Sequence, residues 1–233
     1  MLIPRPETAY ITDLLADAIR TQTANARRPL RVLDLCSGSG CIALLLKHRL
    51  GTSIDISGAD VSPHALSLAR ENARALDLEV KFEHVDIWRD ADLRTLGEFD
   101  LLVSNPPYIP RAEWDQLDRG VKEYEDPGAL VGNPEDLPGA GTGAQPEYSI
   151  RGHPDRRGLA FYRRIAKILP ALLSTQAEFR TAGWAGIPRV AVEVGHDQAD
   201  EVSHIFGSGT VGAITKTEAW LDQYDVPRMV VGW

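Results

Sequence analysis

The sequence predicts an α/β fold: one open, mainly parallel sheet with helices on both faces. Three observations predict it. Short β-branched and leucine-rich runs alternate with longer helical patterns along the chain. A glycine-rich loop joins the first such run directly to the helix after it. A composition 43% hydrophobic over 233 residues supplies the core of one well-packed domain, with no internal repeat.

The elements follow in order. Glu7 to Ala24 is a helix with Ile11, Leu14, Leu15, Ala18 and Ile19 on one face. Strands are expected near Arg31–Leu35, Ile54–Ala59, Val80–Val85, Leu101–Ser104 and Arg189–Val194. Helices are expected near Cys41–Leu50, Pro63–Leu76, Leu159–Gln176 and Gln198–Phe206, the second opened by Ser62 as N-cap and Pro63 at its first position. Ala213–Thr217 and Arg228–Gly232 read as a final pair of strands. Residues 1–233 thus form a single domain. Between its halves, Gly132 to Arg157 is rich in proline and glycine and lacks apolar periodicity, so a flexible insertion is expected there. Arg151, Arg156 and Arg157 could clamp RNA or an acidic partner from it, but a solvated surface is the simpler account.

The strand ending at Leu35 runs into Cys36-Ser37-Gly38-Ser39-Gly40, and a helix begins at Cys41. Gly38 and Gly40 permit a tight turn and close backbone approach to a ligand. The unpaired N–H groups of the following helix attract an anion such as a carboxylate or phosphate. Asp60 closes the next strand, about where an acid that receives ribose hydroxyls is expected. This unit alone does not separate a nicotinamide dinucleotide from S-adenosyl-L-methionine, since both carry an adenosine.

Asn105-Pro106-Pro107-Tyr108 separates them. It follows the buried run Leu101-Leu102-Val103-Ser104, and two prolines stop that strand and hold Asn105 and Pro106 extended. A carboxamide and a carbonyl without its own N–H are thereby fixed at a strand's C-terminal edge, where open α/β sheets place ligands. Two fixed acceptors suit a substrate bringing an NH2 group. A conjugated nitrogen is a poor nucleophile, and holding both its hydrogens orients it and favours the charge that develops on alkylation. Tyr108 would form an aromatic wall and Pro107 a flat apolar one. A hydride carrier has no use for such acceptors, so an S-adenosylmethionine-dependent methyltransferase of the Rossmann-like class is expected.

The chain resembles the HemK/PrmC family of release-factor glutamine methyltransferases. The resemblance rests on Leu2-Ile3-Pro4-Arg5-Pro6-Glu7-Thr8, Asp34 to Gly40, Gly58-Ala59-Asp60-Val61-Ser62 and Ser104 to Ile109. It continues through Tyr124-Glu125-Asp126-Pro127-Gly128-Ala129-Leu130, Gly158-Leu159-Ala160-Phe161-Tyr162-Arg163 and Val192-Glu193-Val194-Gly195. It implies seven strands, the last inserted antiparallel. It also implies that Cys36, Ser37, Gly38, Ser39, Gly40, Asp60, Asp86, Ile87 and Asn105 surround S-adenosyl-L-methionine. Asn105, Pro106, Pro107 and Tyr108 would then bind the glutamine of a Gly-Gly-Gln motif in a class 1 peptide chain release factor. Asn105, Pro106 and Tyr108 would act in direct in-line transfer to the amide nitrogen, with no general base required beforehand. The family's N-terminal helical domain has no counterpart in these residues, and the 132–157 insertion replaces a short turn. The Tyr-Glu-Asp-Pro segment and the insertion suggest a mitochondrial member, a cytoplasmic one if the source is bacterial.

Other single residues are less specific. Trp88 could stack on an adenine or simply pack, and Glu193 is expected as a buried carboxylate facing the cleft without a catalytic role. Arg5 and Glu7 could close the cofactor site, although Pro6 and Glu7 also suit a helix start. Cys36 and Cys41 lack metal-ligand spacing and read as small residues in a crowded turn, and no metal site is expected. The six histidines are scattered without a nucleophile beside them. A net charge of -8 argues against a broad nucleic-acid footprint. A nucleic-acid methyltransferase acting on adenine N6 or guanine N2 is therefore the second reading, and a catalytically silent module of the same fold the third. No segment is apolar enough to span a membrane, and Met1 to Pro4 cannot form a signal peptide. Oligomeric state is not legible.

Overall fold

A computed structural model describes residues 2–133, 157–210 and 213–233. Helix α1 (Pro6–Arg20) starts with proline at its first turn and buries Ile11, Leu15, Ala16 and Ile19. It is followed by β1 (Leu30–Leu35), α2 (Cys41–Leu50), β2 (Ile54–Asp60), α3 (Pro63–Ala75), β3 (Lys81–His84), the short α4 (Asp90–Leu93) and β4 (Leu101–Ser104). Ser62 caps α3 by accepting from the Ala65 N–H. Beyond β4 come two short helices, α5 (Arg111–Trp114) and α6 (Arg119–Tyr124), then α7 (Ala160–Leu172), α8 (Gln176–Thr181), β5 (Val190–Glu193), α9 (Ala199–Gly209), β6 (Thr217–Leu221) and β7 (Pro227–Gly232).

The sheet order is β3-β2-β1-β4-β5-β7-β6. β1 to β5 pair in parallel, while β7 is antiparallel to both β5 and β6. Neighbouring strand residues serve opposite faces. Val32, Leu101, Val103, Ala191 and Val231 join α1, α2 and α3 in one core. Leu33, Leu102, Val190, Val192 and Val230 join α7 and α9 in the other. The predicted fold class is the one observed.

Several boundaries differ from expectation, for local reasons. The first helix stops at Arg20, with a separate 3-10 turn at Thr23–Asn25. The Leu159–Gln176 helix breaks at Leu173 because Thr175 and Glu178 form a reciprocal capping box that starts α8. The sixth strand is Thr217–Leu221 rather than Ala213–Thr217, its register against β7 pairing Thr217 with Gly232. The two helices over 111–124 were not expected. The insertion expectation falls mostly on 134–156, which lies outside the described residues together with Arg151 and Arg156. Arg157 is described, and it pairs with Asp197 and Glu201 at α9.

Candidate active site

β1 and β4 are neighbours at the centre of the sheet, and the chain leaves them in opposite directions, β1 toward β2 and β4 toward β5. A crevice opens at such a switch point beyond the strands' C-terminal ends. A cavity lies there, lined by the β1–α2 loop, the end of β2, Val85 to Trp88 after β3, and Asn105 and Pro107 after β4. Leu2, Pro4 and Thr8 border it from the chain's start, and Asp126, Gly128 and Ala129 from the segment after α6. Among the described residues, its lining includes Asp60, Asp86 and Asp126 and no lysine or arginine.

The loop after β1 is held from both sides. Asp60 accepts the Gly38 N–H through Oδ2 and the Ser62 N–H through Oδ1, each at 2.8 Å. Each oxygen keeps a free lone pair for a ligand hydroxyl. Gly38 and Gly40 have φ of 56° and 79°, and Cys36 is also left-handed at 61°, a strained setting for a residue with a side chain. Asp34, which sequence reasoning passed over, is fully buried beneath the loop. Its Oδ2 accepts the Ser37 hydroxyl at 2.8 Å and the Ala43 N–H at 3.2 Å, while Oδ1 has no partner. Burial pushes its carboxyl up to about 7 against those two hydrogen bonds. Burial also pushes the Cys36 thiol far up and the Cys41 thiol up to about 12, so both are inert fillers of the turn.

Cys36, Ser37, Gly38, Ser39, Asp60, Asp86, Ile87 and Asn105 all line the cavity. Gly40 does not. A side chain there would meet the Phe82 ring of β3 at 2.8 Å and Ala69 of α3 at 3.2 Å, so its role is to let the start of α2 pack against them. Asp86 accepts the Trp88 N–H at 2.9 Å, and the Ile87 carbonyl accepts Arg164 Nε at 2.7 Å. Trp88 takes the packing role considered for it, at the cavity's edge. It lines the cavity and packs edge-on against Phe161 with centroids 5.3 Å apart. Arg5 reaches Glu125 at 2.6 Å, and Glu125 also accepts the Ile3 N–H, so the chain's start is clasped over the cavity.

The Asn-Pro-Pro-Tyr turn is anchored from behind. Ser104 Oγ donates to the Leu35 carbonyl at 2.5 Å. Gln198, 2% exposed, donates to the carbonyls of Tyr108 at 3.0 Å and Arg157 at 2.6 Å. Its Oε1 accepts the Gly195 N–H at 3.0 Å. Asn105 Oδ1 is buried and without a partner. Pro107 lines the cavity, while Pro106 and Tyr108 are not part of its lining. Burial and the Glu193 charge push the Tyr108 phenol up to about 12, which keeps it neutral. Glu193 is 2% exposed, and burial pushes its carboxyl up to about 7, opposed by the Thr8 hydroxyl, Arg228 and the Asn105 amide. The Thr8 hydroxyl makes no hydrogen bond of good geometry, and neither does Glu193 Oε2. Asp34, Thr8, Gln198 and Glu125 were not singled out as site residues. Asp34, Thr8 and Glu125 stood inside segments of family resemblance, their only signal in sequence, and Gln198 stood in none.

Residues 9–117 match the family model of the methyltransferase small domain. The chain is 40% identical over 134 residues to the release factor glutamine methyltransferase of Chlorobaculum tepidum, covering 56% of this chain and 45% of that protein. The proteins of that name from Bacillus cereus and Streptococcus pneumoniae are each 31% identical, covering 88% and 99% of this chain and 59% and 66% of theirs. The chain thus spans about half the length of the relatives it matches first, 45%, 59% and 51%. These relatives are bacterial, and the mitochondrial expectation draws no support from them. Thermus thermophilus TrmN superposes with a TM-score of 0.54 at 21% identity, over 97% of this chain and 51% of that one, a likeness of fold.

Proposed function

The chain belongs to the release factor glutamine methyltransferase family, and on that premise we propose its activity. It transfers a methyl group from S-adenosyl-L-methionine to the side-chain amide nitrogen (N5) of the glutamine in the Gly-Gly-Gln motif of a class 1 peptide chain release factor. One observation carries this reading: Asn105 Oδ1 is a buried acceptor without a partner, in the same cavity as the glycine loop. A buried polar atom left unpaired is costly, and a ligand NH2 group would satisfy it.

The donor set fits the cofactor. S-adenosyl-L-methionine supplies an electrophilic methyl group on a cationic sulfonium. A cavity lined by acids, with no basic residue among the described ones, suits a cation and would repel the pyrophosphate of a dinucleotide. Asp60 would hold the ribose, Asp86, Ile87 and Trp88 would border the base, and residues 36–39 would hold the methionine end.

Asn105 Oδ1 and the Pro106 carbonyl receive the two hydrogens of the substrate amide and orient its nitrogen. Pro107 and Tyr108 shape the walls, and the neutral Tyr108 phenol takes no proton. Orientation and preorganised acceptors, rather than a tuned base, lower the barrier. The bacterial relatives favour the cytoplasm of a bacterium as its setting. We treat residues 1–233 as one catalytic domain.

The test is incubation with labelled S-adenosyl-L-methionine and a release factor, followed by peptide mapping. One methyl group on the Gly-Gly-Gln glutamine is expected. Asn105→Ala should slow transfer by on the order of 10²-fold. Label appearing on adenine or guanine amines with the glutamine untouched would overturn the reading.

A further inference from the structure

Parallel pairing sets Ser104 of β4 opposite Val192 of β5. The next residues, Asn105 and Glu193, therefore stand side by side on the same face of the sheet. The Asn105 amide lies close enough to favour the ionised Glu193 carboxylate, without a hydrogen bond of good geometry between them. Only its NH2 end can do this, because the other end of a carboxamide is an acceptor. That other end, Oδ1, is the buried atom without a partner.

Other groups also face Glu193, and the Thr8 hydroxyl favours its ionised form more than the Asn105 amide does. Thr8 and Glu7 approach from α1, Cys41 from α2 and Arg228 from β7, with the Tyr108 and Tyr162 phenols close by. Tyr162 donates to the Glu193 backbone carbonyl at 2.9 Å rather than to the carboxylate. Arg228 bonds Asp222 at 3.2 Å. The fold itself gains little from a carboxylate at a strand position 2% exposed, with Oε2 unpartnered. An apolar or neutral residue would be easier to bury there.

We propose that Glu193 is a positioning residue: its carboxylate holds the Asn105 NH2 group and so turns Oδ1 toward the hydrogens of the substrate amide. The two ends of a carboxamide are nearly alike in size, so packing alone does not choose between them. A carboxylate does choose, since it only accepts. The inference rests on the reading that Asn105 receives a substrate NH2 group.

Glu193→Gln tests it, because glutamine keeps the shape but can donate as well as accept. The kcat for release-factor methylation should fall about tenfold or more, while the Kd for S-adenosyl-L-methionine stays nearly unchanged. At about pH 8 the Tm should hold or rise, because a buried charge has been removed; a merely structural role would lower Tm and kcat together. In the Asn105→Ala background, Glu193→Gln should cost nothing further in kcat. A second readout needs no substrate. The Asn105 side-chain NH2 pair in 1H–15N spectra, assigned by its loss in Asn105→Ala, should show one proton far downfield in the wild type. That proton should move upfield in Glu193→Gln. An Asn105 NH2 pair that Glu193→Gln leaves in place overturns the inference, whatever the enzyme methylates. A pair that moves in a wild-type background inactive toward release factors upholds the orientation and overturns only the substrate reading.

Discussion

Asp60 has two tasks, and a mutation at this residue has to separate them. Besides facing the cavity, its two oxygens receive the Gly38 and Ser62 N–H groups and so hold the loop and the start of α3 in place. Asp60→Ala would disturb both. Asp60→Asn keeps an acceptor for one N–H and removes the charge, and it should weaken S-adenosyl-L-methionine binding by roughly 1.5–3 kcal/mol, read by calorimetric titration. Unchanged affinity in the folded variant would move the ribose site elsewhere. Gln198 is the complementary case, since it touches no cavity surface and ties together residues 90 and 41 positions away. Gln198→Ala leaves two carbonyls and one N–H unpaired and should lower stability by about 1–3 kcal/mol in urea melts. Asn105 and Asp60 were legible because their chemistry is written in adjacent residues. Gln198 was not, because its partners meet only in the folded chain.

At the scale of elements, the Asn-Pro-Pro-Tyr turn is braced by a second layer of backbone. The Ile109 N–H donates to Leu130 and the Gly132 N–H to Ile109, placing 130–132 alongside the turn. Gly158 lies behind it at φ 73°, where a Cβ would stand 2.1 Å from the Tyr108 carbonyl oxygen. Gly158→Ala must therefore shift the turn, and transfer should slow by on the order of 10²-fold while calorimetry finds cofactor affinity largely kept. A normal transfer rate would show that the turn tolerates displacement. A Cβ on Gly132 would meet the Gly158 backbone at 2.3 Å, so the chain departs and returns at one point. Replacing residues 134–156 with a short Gly-Ser linker should preserve the thermal transition and its upward shift with cofactor, since loop closure depends only weakly on length. Loss of the folded state would show that the segment is structural. The strands and long helices around this layer were legible from periodicity. The helices over 111–124 were not, because each is too short to display a repeating face.

The whole molecule places opposed titrations at the two ends of its sheet. At the N-terminal end of β4, Asp100 binds Arg28, Arg31 and Ser174. Burial alone would raise its carboxyl, but these hydrogen bonds bring it well below the usual carboxylate range. That contribution to stability is present above the unfolded carboxylate pKa and is lost as acid protonates the group. At the C-terminal end, Asp34 and Glu193 are raised to about 7. The folded state therefore holds more protons than the unfolded state between about pH 4 and 7, and stability falls as pH rises through that window. Thermal melts of the ligand-free protein should peak at about pH 4 and decline toward about pH 8. Binding of the cationic cofactor should tighten over the same rise, as Asp34 beneath the glycine loop ionises. A flat melting profile from pH 5 to 8 would show that neither carboxyl is held protonated.

The sequence by itself determined the fold class and all but the sixth of the sheet's strands, and it set Asn105 to Tyr108 directly after β4. Alternation of apolar runs and the geometry of proline and glycine are local properties, so they can be read in one dimension. Tertiary structure alone decided what stands behind those residues. Glu193 reaches Asn105 because parallel pairing of β4 and β5 sets their register, and Gln198 reaches Tyr108 because α9 folds back against the turn. Which carboxylates are deprived of water depends on neighbours far apart in the chain. Burial and partner geometry arise from packing, and no local sequence pattern encodes them.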